Sequence, residues 1–413
     1  MLNLSILTIG DEICIGQIIN TNAAWIAAEC TRISCKILAH SSIGDEMDSI
    51  ISEIGRLIAQ SDALIITGGL GPTHDDITKE AIRAFLGDTI VLHEPTLAYL
   101  KEFYTSRNRI LTERNATQAL LPSTAQPLHN SRGTAPGMLF DYHGKMIVSL
   151  PGVPMEMKGI MTDHVLPLLA KRATIGDVLL YKTLMTTGIP EASLADLIGE
   201  PSEFLHGASL AFLPSYQGVR LRIGVSATTS IAAEAEIERI ETHIRSKAAK
   251  FIFGEDNQSL TSVVTNLLLE KKLTVSVAES CTGGLLGAAL TDLAGSSAYF
   301  EGGVQTYSYA AKEHILSVKH ETLTTYGAVS SETVEEMAVN VRQKFSTDFG
   351  ISISGIAGPG GGLPEKPVGT VWIGLAHPSG VITKRFNFGN DRTMNRERSV
   401  GAALEMLYRA LIG

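Results

Sequence analysis

The sequence predicts a multidomain α/β protein with a small α+β module between two larger α/β domains. The chain has 413 residues, which is more than one hydrophobic core usually supports. Short apolar segments ending at glycine-containing turns alternate with segments of helical periodicity, a pattern typical of βαβ units and parallel sheets. This pattern changes between residues 174 and 253, so we predict domains over 1–172, 173–254 and 255–413.

Apolar runs in the first domain predict buried strands over residues 4–9, 63–67 and 145–150, because each run is short and ends at a turn. Helical periodicity predicts helices between or after these strands, over residues 20–33, 46–60 and 76–86. The first domain is therefore expected to contain a mainly parallel sheet.

The middle module begins with alternating strands, such as VRLRIGV at 219–225, and continues with a charged helix at 232–248. The third domain returns to α/β alternation. Its predicted elements are, in chain order, a helix from residue 260, strands at 274–278, 350–355 and 368–376, and a helix over 392–411.

Composition favours a protein that acts on small molecules. The formal net charge of -9 gives no general attraction to nucleic acid, so a nucleic-acid partner is not expected. The sequence shows neither a basic leader nor an apolar run of membrane-spanning length, so we expect a cytoplasmic protein without a membrane partner. Its four cysteines lack metal-binding spacing and are expected to be core residues.

A glycine-rich motif, TGGLGPTHDD, joins a predicted strand to a predicted helix at residues 67–76. Gly69 and Gly71 allow backbone N–H groups to approach a phosphate, and the start of the following helix favours negative charge. The motif therefore predicts a phosphate-binding turn.

Acidic residues accompany this turn and a neighbouring strand end. They are Glu12 of the motif GDE and the pair Asp75 and Asp76. Carboxylates at such positions either cap a helix or hold a divalent cation that bridges phosphates. Glu156 of LPGVPMEM is likewise either a residue that caps the first turn of a helix or a further carboxylate of the same cleft. The residues alone leave these interpretations open.

The stretch AESCTGG places Ser280 beside Cys281, between a predicted strand and a predicted helix. The serine hydroxyl is expected to point into a strand-end cleft beside free N–H groups of the helix start, which suits acyl-transfer chemistry. The alternative is an N-cap serine next to a buried cysteine, because serine is a favoured cap.

A nucleophilic serine needs a base. Ser280 has no Gly-x-Ser-x-Gly elbow and no evident histidine partner. Downstream, Gln305, Tyr307 and Tyr309 are predicted to share one strand face, and Lys312 follows in the next turn. Tyr307 and Lys312 can activate the serine if burial or a neighbouring charge lowers the pKa of the lysine.

The glycine-rich segment GIAGPGGG at 355–362 follows another predicted strand. It either receives a phosphate or forms a plain tight turn. Composition does not separate the two interpretations.

Taken together, these motifs resemble the competence/damage-inducible CinA proteins over nearly the whole chain. The N-terminal motifs that carry the resemblance, and that are similar to molybdopterin-binding proteins, are GQIINTNAAWIA, TGGLGPTHDD, GTAPG and LPGVPMEM. The C-terminal motifs are AESCTGG, GSSAYFEGG, YGAVS, SISGIAGPGGG and EKPVGTVWIG.

The resemblance implies a bifunctional enzyme of pyridine nucleotide salvage. It implies an N-terminal ADP-ribose pyrophosphatase that depends on a divalent metal, and a KH-like middle module. It also implies a C-terminal amidase that converts nicotinamide mononucleotide to nicotinate mononucleotide and ammonia without a metal. The family's architecture further implies a homodimer.

Carried over by motif, Ser280 is implied to be the nucleophile, Tyr307 and Lys312 its activating partners, and Cys281 a packing residue. The implied substrate contacts of the amidase are Thr282, Gly283, Gly284, Gly358, Gly360 and Gly361. In the N-terminal domain, the implied metal ligands are Glu12, Asp75 and Asp76, and the implied phosphate contacts are Gly69, Gly71 and Thr73.

Two positions depart from the family pattern. Tyr309 stands where the family often has asparagine, and Gly360 stands where an aspartate often follows GIAGP. Two rival functions also stay open at this stage: a nucleotide-sensing scaffold for competence or DNA uptake, and an N-terminal domain that binds a pterin nucleotide.

Overall fold

The computed structural model describes residues 2–74, 76–173, 178–215 and 218–413. It divides into two compact units. The first comprises Met1–Tyr181 and Val225–Glu236, and the second comprises Lys182–Gly224 and Ile237–Gly413. Helices and strands are mixed in both, which confirms the predicted α/β class. Among the described residues, no helix is both long and apolar enough to cross a membrane.

The first unit is built on a six-stranded sheet with the order β2-β1-β3-β8-β7-β6. The first four strands in that order run parallel, while β7 is antiparallel to both β8 and β6. A separate antiparallel ribbon joins β4 and β5. The strands are β1 Leu2–Ile9, β2 Cys35–Ile43, β3 Ala63–Thr67, β4 Ile90–Leu92, β5 Leu120–Pro122, β6 Gln126–Leu128, β7 Gly137–Tyr142 and β8 Lys145–Leu150.

Helices cover both faces of this sheet, because successive strand residues point to opposite sides. On β1, Leu4 and Ile6 join one buried cluster, whereas Leu7 and Ile9 join another. The helices are α1 Asp11–Cys14, α2 Thr21–Arg32, α3 Met47–Gln60, α4 Thr78–Leu86, α5 Glu94–Thr105, α6 Glu113–Ala116, α7 Pro154–Ile160 and α8 Leu166–Ala173.

One boundary matters for the site. The helix predicted from residue 76 begins at Thr78, and its N-cap residue is Ile77, whose side chain makes no capping hydrogen bond. Asp76 therefore lies before the helix, and the interpretation of this acid as a helix cap is wrong.

The later part of the chain contains a four-stranded sheet with the order β10-β11-β9-β12 and a five-stranded sheet with the order β14-β13-β15-β16-β17. In the second sheet, β14, β13 and β15 are parallel, while β16 and β17 are antiparallel. The strands are β9 Val178–Thr186, β10 Ser209–Ser215, β11 Gly218–Ala227, β12 Ile252–Glu255, β13 Val275–Glu279, β14 Phe300–Gln305, β15 Phe349–Gly355, β16 Thr370–His377 and β17 Gly380–Asn387.

Residues of the five-stranded sheet pack into two buried clusters. Val275 and Val277 of β13 join a cluster with residues of α12, α13 and α17, whereas Ala278 joins one with residues of α16. The helices are α9 Glu191–Ile198, α10 Pro201–Phe204, α11 Ser230–Ala248, α12 Leu260–Lys271, α13 Leu285–Thr291, α14 Tyr309–Leu316, α15 His320–Tyr326, α16 Ser331–Phe345 and α17 Arg392–Ile412.

The expectation that Tyr307 and Tyr309 share a strand face is wrong. Strand β14 ends at Gln305, and Tyr309 is the first residue of α14. The physical reason is a cap: the Ser308 hydroxyl accepts a hydrogen bond from the Ala311 N–H at 3.1 Å, which starts a helix where the sequence was expected to continue as a strand.

Candidate functional site

Ser280 lies at the carboxyl edge of the three parallel strands of the five-stranded sheet. Glu279, the last residue of β13, pairs with Gln305 of β14 and Ile353 of β15, so the segments that follow all three strands meet there. The Ser280 N–H donates to the Ile353 carbonyl at 2.9 Å, and the Ser280 carbonyl accepts from the Gly283 N–H at 3.1 Å. A closed turn therefore holds the serine.

Two glycines carry the chain from this turn into α13. Gly283 and Gly284 have φ values of 61° and 101°, in the left-handed region where a Cβ causes strain. Both were expected to contact substrate, and the structure shows a conformational role for them.

The Glu279 side chain occupies the start of α13. It is 1% exposed, and its carboxylate accepts the N–H groups of Gly284 at 3.0 Å, Leu286 at 3.1 Å and Gly287 at 2.8 Å. The expectation that the helix start offers free N–H groups beside Ser280 is therefore wrong for these three. Among the described residues, the N–H groups of Cys281 and Thr282 donate to no oxygen.

Lys312 of α14 reaches Ser280 from the next strand end. Its Nζ lies 3.2 Å from the Ser280 Oγ and donates to the Thr306 carbonyl at 2.6 Å. Lys312 is fully buried, and Ser280 is 8% exposed. Burial lowers the pKa of Lys312 to about 8, because a buried ammonium loses its hydration.

Cys281 is 5% exposed and belongs to the main hydrophobic cluster. Burial raises the pKa of its thiol to about 11, so the thiol is poorly ionised at neutral pH. Its packing agrees with the role that was expected for this cysteine.

Tyr307 is not brought to the buried pair. Its side chain is 66% exposed, and its hydroxyl accepts from the Arg392 Nη2 at 3.5 Å. Tyr309 is half exposed, and its hydroxyl accepts the Ala328 N–H at 3.2 Å. Tyr309, which stands where the family often has asparagine, therefore links α14 to the segment before α16.

The loop GIAGPGGG follows β15 at the same sheet edge. The Gly358 carbonyl accepts from the Arg392 Nη1 at 2.8 Å, and Gly358 itself is buried. Gly360 and Gly361 are exposed. Aspartate at Gly360 would meet no atom of the chain at its Cβ, so this departure from the family pattern leaves the loop packing intact.

Sequence reasoning missed the arginines of α17. Arg392 holds the glycine loop, and the Arg396 Nη2 donates to the Thr282 carbonyl at 2.9 Å. These residues lie four apart, so they share one helix face. Their spacing was the available signal, but nothing in the sequence indicated that this face meets Ser280.

Unpaired polar atoms occur in the residues that adjoin the serine turn and Lys312. Buried atoms without a hydrogen-bond partner among the described residues include Thr282 Oγ1, Thr306 Oγ1 and Arg396 Nε. Native proteins pair most buried polar groups, so a group of unpaired ones indicates a place where a ligand supplies the partners.

A second candidate site lies in the first unit, at the carboxyl edge of its parallel strands. It is a cavity of about 450 Å³, and its lining includes the ends of β1 and β3, the glycine-rich turn and the turn after β8. The carboxylates in the lining are Glu12, Asp45, Asp76 and Glu156. No lysine, arginine or histidine occurs among the described lining residues.

Asp76 builds the glycine-rich turn. Its Oδ1 accepts the Gly71 N–H at 2.8 Å, and its Oδ2 accepts the Thr73 N–H at 2.9 Å and the Thr73 hydroxyl. A Cβ at Gly69 would lie 2.2 Å from Thr78 Oγ1, so only glycine fits there. The expected phosphate contacts Gly71 and Thr73 thus donate to Asp76 in this structure.

Glu156 also lines this cavity. It accepts from the Asn130 Nδ2 at 2.6 Å and does not cap α7, whose N-cap residue is Val153. Burial raises the pKa of the Glu156 carboxyl.

A divalent cation fits this cavity by charge, because carboxylates line it and basic groups do not. The described residues contain no group of three histidine, cysteine, aspartate or glutamate side chains arranged to hold a metal. Asp75, the third predicted ligand, lies outside the described residues. The described residues therefore supply the charge for a cation without supplying a ligand set.

Three segments of the chain match known protein families. Residues 5–171 match the family described as "Probable molybdopterin binding domain". Residues 181–254 match "Damage-inducible protein CinA KH domain", and residues 257–411 match "CinA C-terminal domain".

Full-length relatives include a CinA-like protein of Cytophaga hutchinsonii, 41% identical over 98% of this chain and 97% of that protein. A CinA-like protein of Kosmotoga olearia is 40% identical over 98% of both chains. A crystal structure of a competence/damage-inducible protein from Agrobacterium tumefaciens is 44% identical, covers 37% of this chain and 94% of its own, and gives a TM-score of 0.36.

The three hydrogen bonds of Glu279 generate a stability prediction. The substitution Glu279→Gln replaces one acceptor oxygen with an NH₂ group that faces backbone donors, so at least one buried N–H loses its partner. We expect the free energy of unfolding to fall by about 1–3 kcal/mol, measured by urea denaturation. The exposed Glu301→Gln on β14 is the control and should change it by less than about 0.5 kcal/mol. Equal stability of the two variants would contradict a capping role.

Proposed function

The chain belongs to the CinA family, and on that premise we propose that it is a bifunctional hydrolase of pyridine nucleotide salvage. Its C-terminal domain hydrolyses nicotinamide mononucleotide to nicotinate mononucleotide and ammonia. Its N-terminal domain hydrolyses the pyrophosphate of ADP-ribose. The observation that carries the first activity is the buried contact of 3.2 Å between Lys312 Nζ and Ser280 Oγ.

This contact supports a serine amidase mechanism because the lysine is positioned to act as a base. Neutral Lys312 accepts the hydroxyl proton while Ser280 Oγ bonds to the carboxamide carbon, and the carbonyl electrons move to its oxygen. Collapse of this intermediate breaks the C–N bond, and the lysine ammonium gives its proton to the leaving nitrogen, which departs as ammonia. Water then attacks the acyl-enzyme, Lys312 accepts a water proton, and the C–Oγ bond breaks as Ser280 regains its proton.

Neighbouring groups support each step. The Thr306 carbonyl accepts one lysine N–H at 2.6 Å and so orients the amine. The N–H groups of Cys281 and Thr282, which lie near the Cys281 sulfur and donate to no oxygen of the described chain, are the proposed oxyanion donors, since Glu279 occupies those of Gly284, Leu286 and Gly287.

Tyr307 is the predicted second partner in proton transfer. Its exposed side chain and its contact with Arg392 place it at the rim, so the described geometry favours Lys312 as the base. We propose that Tyr307 approaches the reacting group only when substrate is bound.

A mononucleotide substrate suits the charge of this site. Arg392 and Arg396 lie beside the glycine loop and the serine turn, and guanidinium groups bind phosphate well. We propose that they attract the 5′-phosphate while the carboxamide lies at Ser280. The exposed Gly360 and Gly361 then border the phosphate.

The N-terminal cavity supports the second activity by size and charge. A volume of about 450 Å³ lies within the usual range of ligand pockets. Walls that carry carboxylates and no basic groups repel a pyrophosphate unless a cation accompanies it. This charge balance supports a divalent metal, with Glu12, Asp75 and Asp76 as its proposed ligands.

Removal of the Ser280 hydroxyl tests the amidase. We expect Ser280→Ala to lower ammonia release from nicotinamide mononucleotide by at least about 10³-fold, because no other nucleophile replaces it. The exposed Ser379→Ala in the β16–β17 turn is the control and should retain wild-type turnover. Full activity in Ser280→Ala would contradict the role of this serine as nucleophile, whereas no activity in folded wild type would contradict the amidase and favour a nucleotide-sensing scaffold.

The pKa of Lys312 predicts the pH dependence. A base with a pKa of about 8 is mostly protonated below that pH, so kcat/KM should rise about tenfold per pH unit below 8 and level off above it. Lys312→Met should abolish activity and, with it, the rise of kcat/KM with pH. Circular dichroism of the variant should show that it is folded. A flat profile between pH 6 and 9 would rule out Lys312 as the base.

A chelator should separate the two activities. EDTA should abolish the release of AMP and ribose 5-phosphate from ADP-ribose, because the acidic cavity needs a cation, and should leave ammonia release from nicotinamide mononucleotide unchanged. Liquid chromatography of both reactions measures the products. Metal-independent cleavage of ADP-ribose would contradict the metal proposal, and binding of a pterin nucleotide without any cleavage would favour the pterin-binding alternative.

A further inference from the structure

Two amide side chains in the N-terminal cavity have unpaired oxygens. Asn22 is 8% exposed and Gln118 is 6% exposed, and both line the cavity. Neither Asn22 Oδ1 nor Gln118 Oε1 has a hydrogen-bond partner. A buried acceptor without a donor destabilises a folded protein, so two in one cavity need an explanation.

The orientation of the Asn22 amide is fixed by its neighbours. The Thr67 hydroxyl donates to the Pro151 carbonyl at 3.1 Å, which leaves Thr67 Oγ1 as an acceptor. Asn22 Nδ2 donates to this oxygen at 3.2 Å and to the Gly152 carbonyl at 2.8 Å. Both partners require a donor, so the unpaired atom of Asn22 must be the oxygen.

Gln118 is held at the cavity by its backbone. It lies in the short helical turn Thr117–Ala119. The Thr117 carbonyl accepts from Lys79 Nζ at 3.0 Å, and the Ala119 carbonyl accepts the His93 N–H at 2.8 Å. Bonds on either side keep the Gln118 side chain in the wall, where its Oε1 has no hydrogen-bond partner within the described chain.

The chemistry of the missing partner follows from these oxygens. Amide oxygens accept hydrogen bonds and can also coordinate a cation, so they repel phosphate and carboxylate oxygens and pair with an N–H group, an O–H group or a metal ion. The carboxylates nearby reinforce that preference. A nucleotide carries such donors on the amino group of its base and on its ribose, away from its phosphates.

We propose that Gln118 and Asn22 recognise uncharged hydrogen-bond donors of a nucleotide whose phosphates lie at the glycine-rich turn of the same cavity. The subsite rests on the proposed nucleotide function of this cavity. It assigns Gln118 to ligand recognition and not to packing.

A packing residue and a recognition residue respond oppositely to Gln118→Met. Methionine keeps the length of the side chain and removes the unpaired acceptor, so the ligand-free full-length protein should become more stable, with Tm higher by roughly 2–6 °C. Binding of AMP in the presence of Mg²⁺, measured by calorimetry, should weaken about tenfold, as loss of one hydrogen bond implies. The exposed Gln126→Met on β6 is the control and should change neither value.

Two AMP analogues identify the donor. Purine riboside 5′-monophosphate lacks the base amino group, and 2′-deoxy-AMP lacks one ribose hydroxyl. The analogue without the recognised donor should bind wild type about tenfold more weakly than AMP, and Gln118→Met should bind that analogue and AMP equally.

Three results overturn the subsite: a lower Tm in Gln118→Met, unchanged AMP affinity in that variant, or wild-type affinity for both analogues equal to that for AMP. Failure of wild type to bind AMP at all overturns instead the nucleotide function of the cavity. The two failures are thereby distinguished.

Discussion

The C-terminal site depends on one constraint, the complete burial of Lys312 beside Ser280. A buried ammonium without its hydration is costly, and the nearest polar atoms, Ser280 Oγ and the Thr306 carbonyl, are uncharged. Burial therefore lowers the pKa of Lys312 to about 8 and increases the share of the neutral amine, which the proposed mechanism uses as a base. Strand β14 ends at Gln305 and Ser308 caps α14. Helix α14 therefore starts where its first turn places Lys312 in the buried site.

The two candidate sites use opposite charges at the same kind of location. Both lie at the carboxyl edge of parallel strands, where loops meet and ligands collect. The C-terminal edge has Arg392 and Arg396 beside a glycine loop, whereas the N-terminal cavity has carboxylates and no described basic residue in its lining. Under the proposed functions, a phosphate approaches the C-terminal site directly and needs a cation at the N-terminal one. Both sites have the same place in their sheets, and they differ in side-chain charge.

Sequence patterns predicted those features that depend on neighbouring residues. The apolar runs that became β3 and β8 and the periodicity that became α3 and α17 are local signals, and Ser280 follows its strand as expected. Features that depend on residues far apart in the sequence could not be predicted from sequence patterns. Glu279 directly follows a predicted strand and gave no sign of its partners, yet its carboxylate caps α13. Asp76 reads as a helix cap, yet it folds back onto Gly71 and Thr73. An acidic side chain beside a glycine-rich turn has several nearby N–H donors, and only the backbone path decides among them.

The contrast between Ser280 and Cys281 shows why adjacency does not make two nucleophiles equivalent. A thiol is the stronger nucleophile only when ionised, and burial raises the pKa of Cys281 to about 11. The Ser280 hydroxyl needs no ionisation before the reaction. Lys312, with a pKa of about 8, can accept the hydroxyl proton as the bond to carbon forms. The turn after β13 leaves Ser280 beside the lysine and packs Cys281 into the hydrophobic cluster. In the proposed mechanism, backbone geometry and not intrinsic reactivity thus selects the serine.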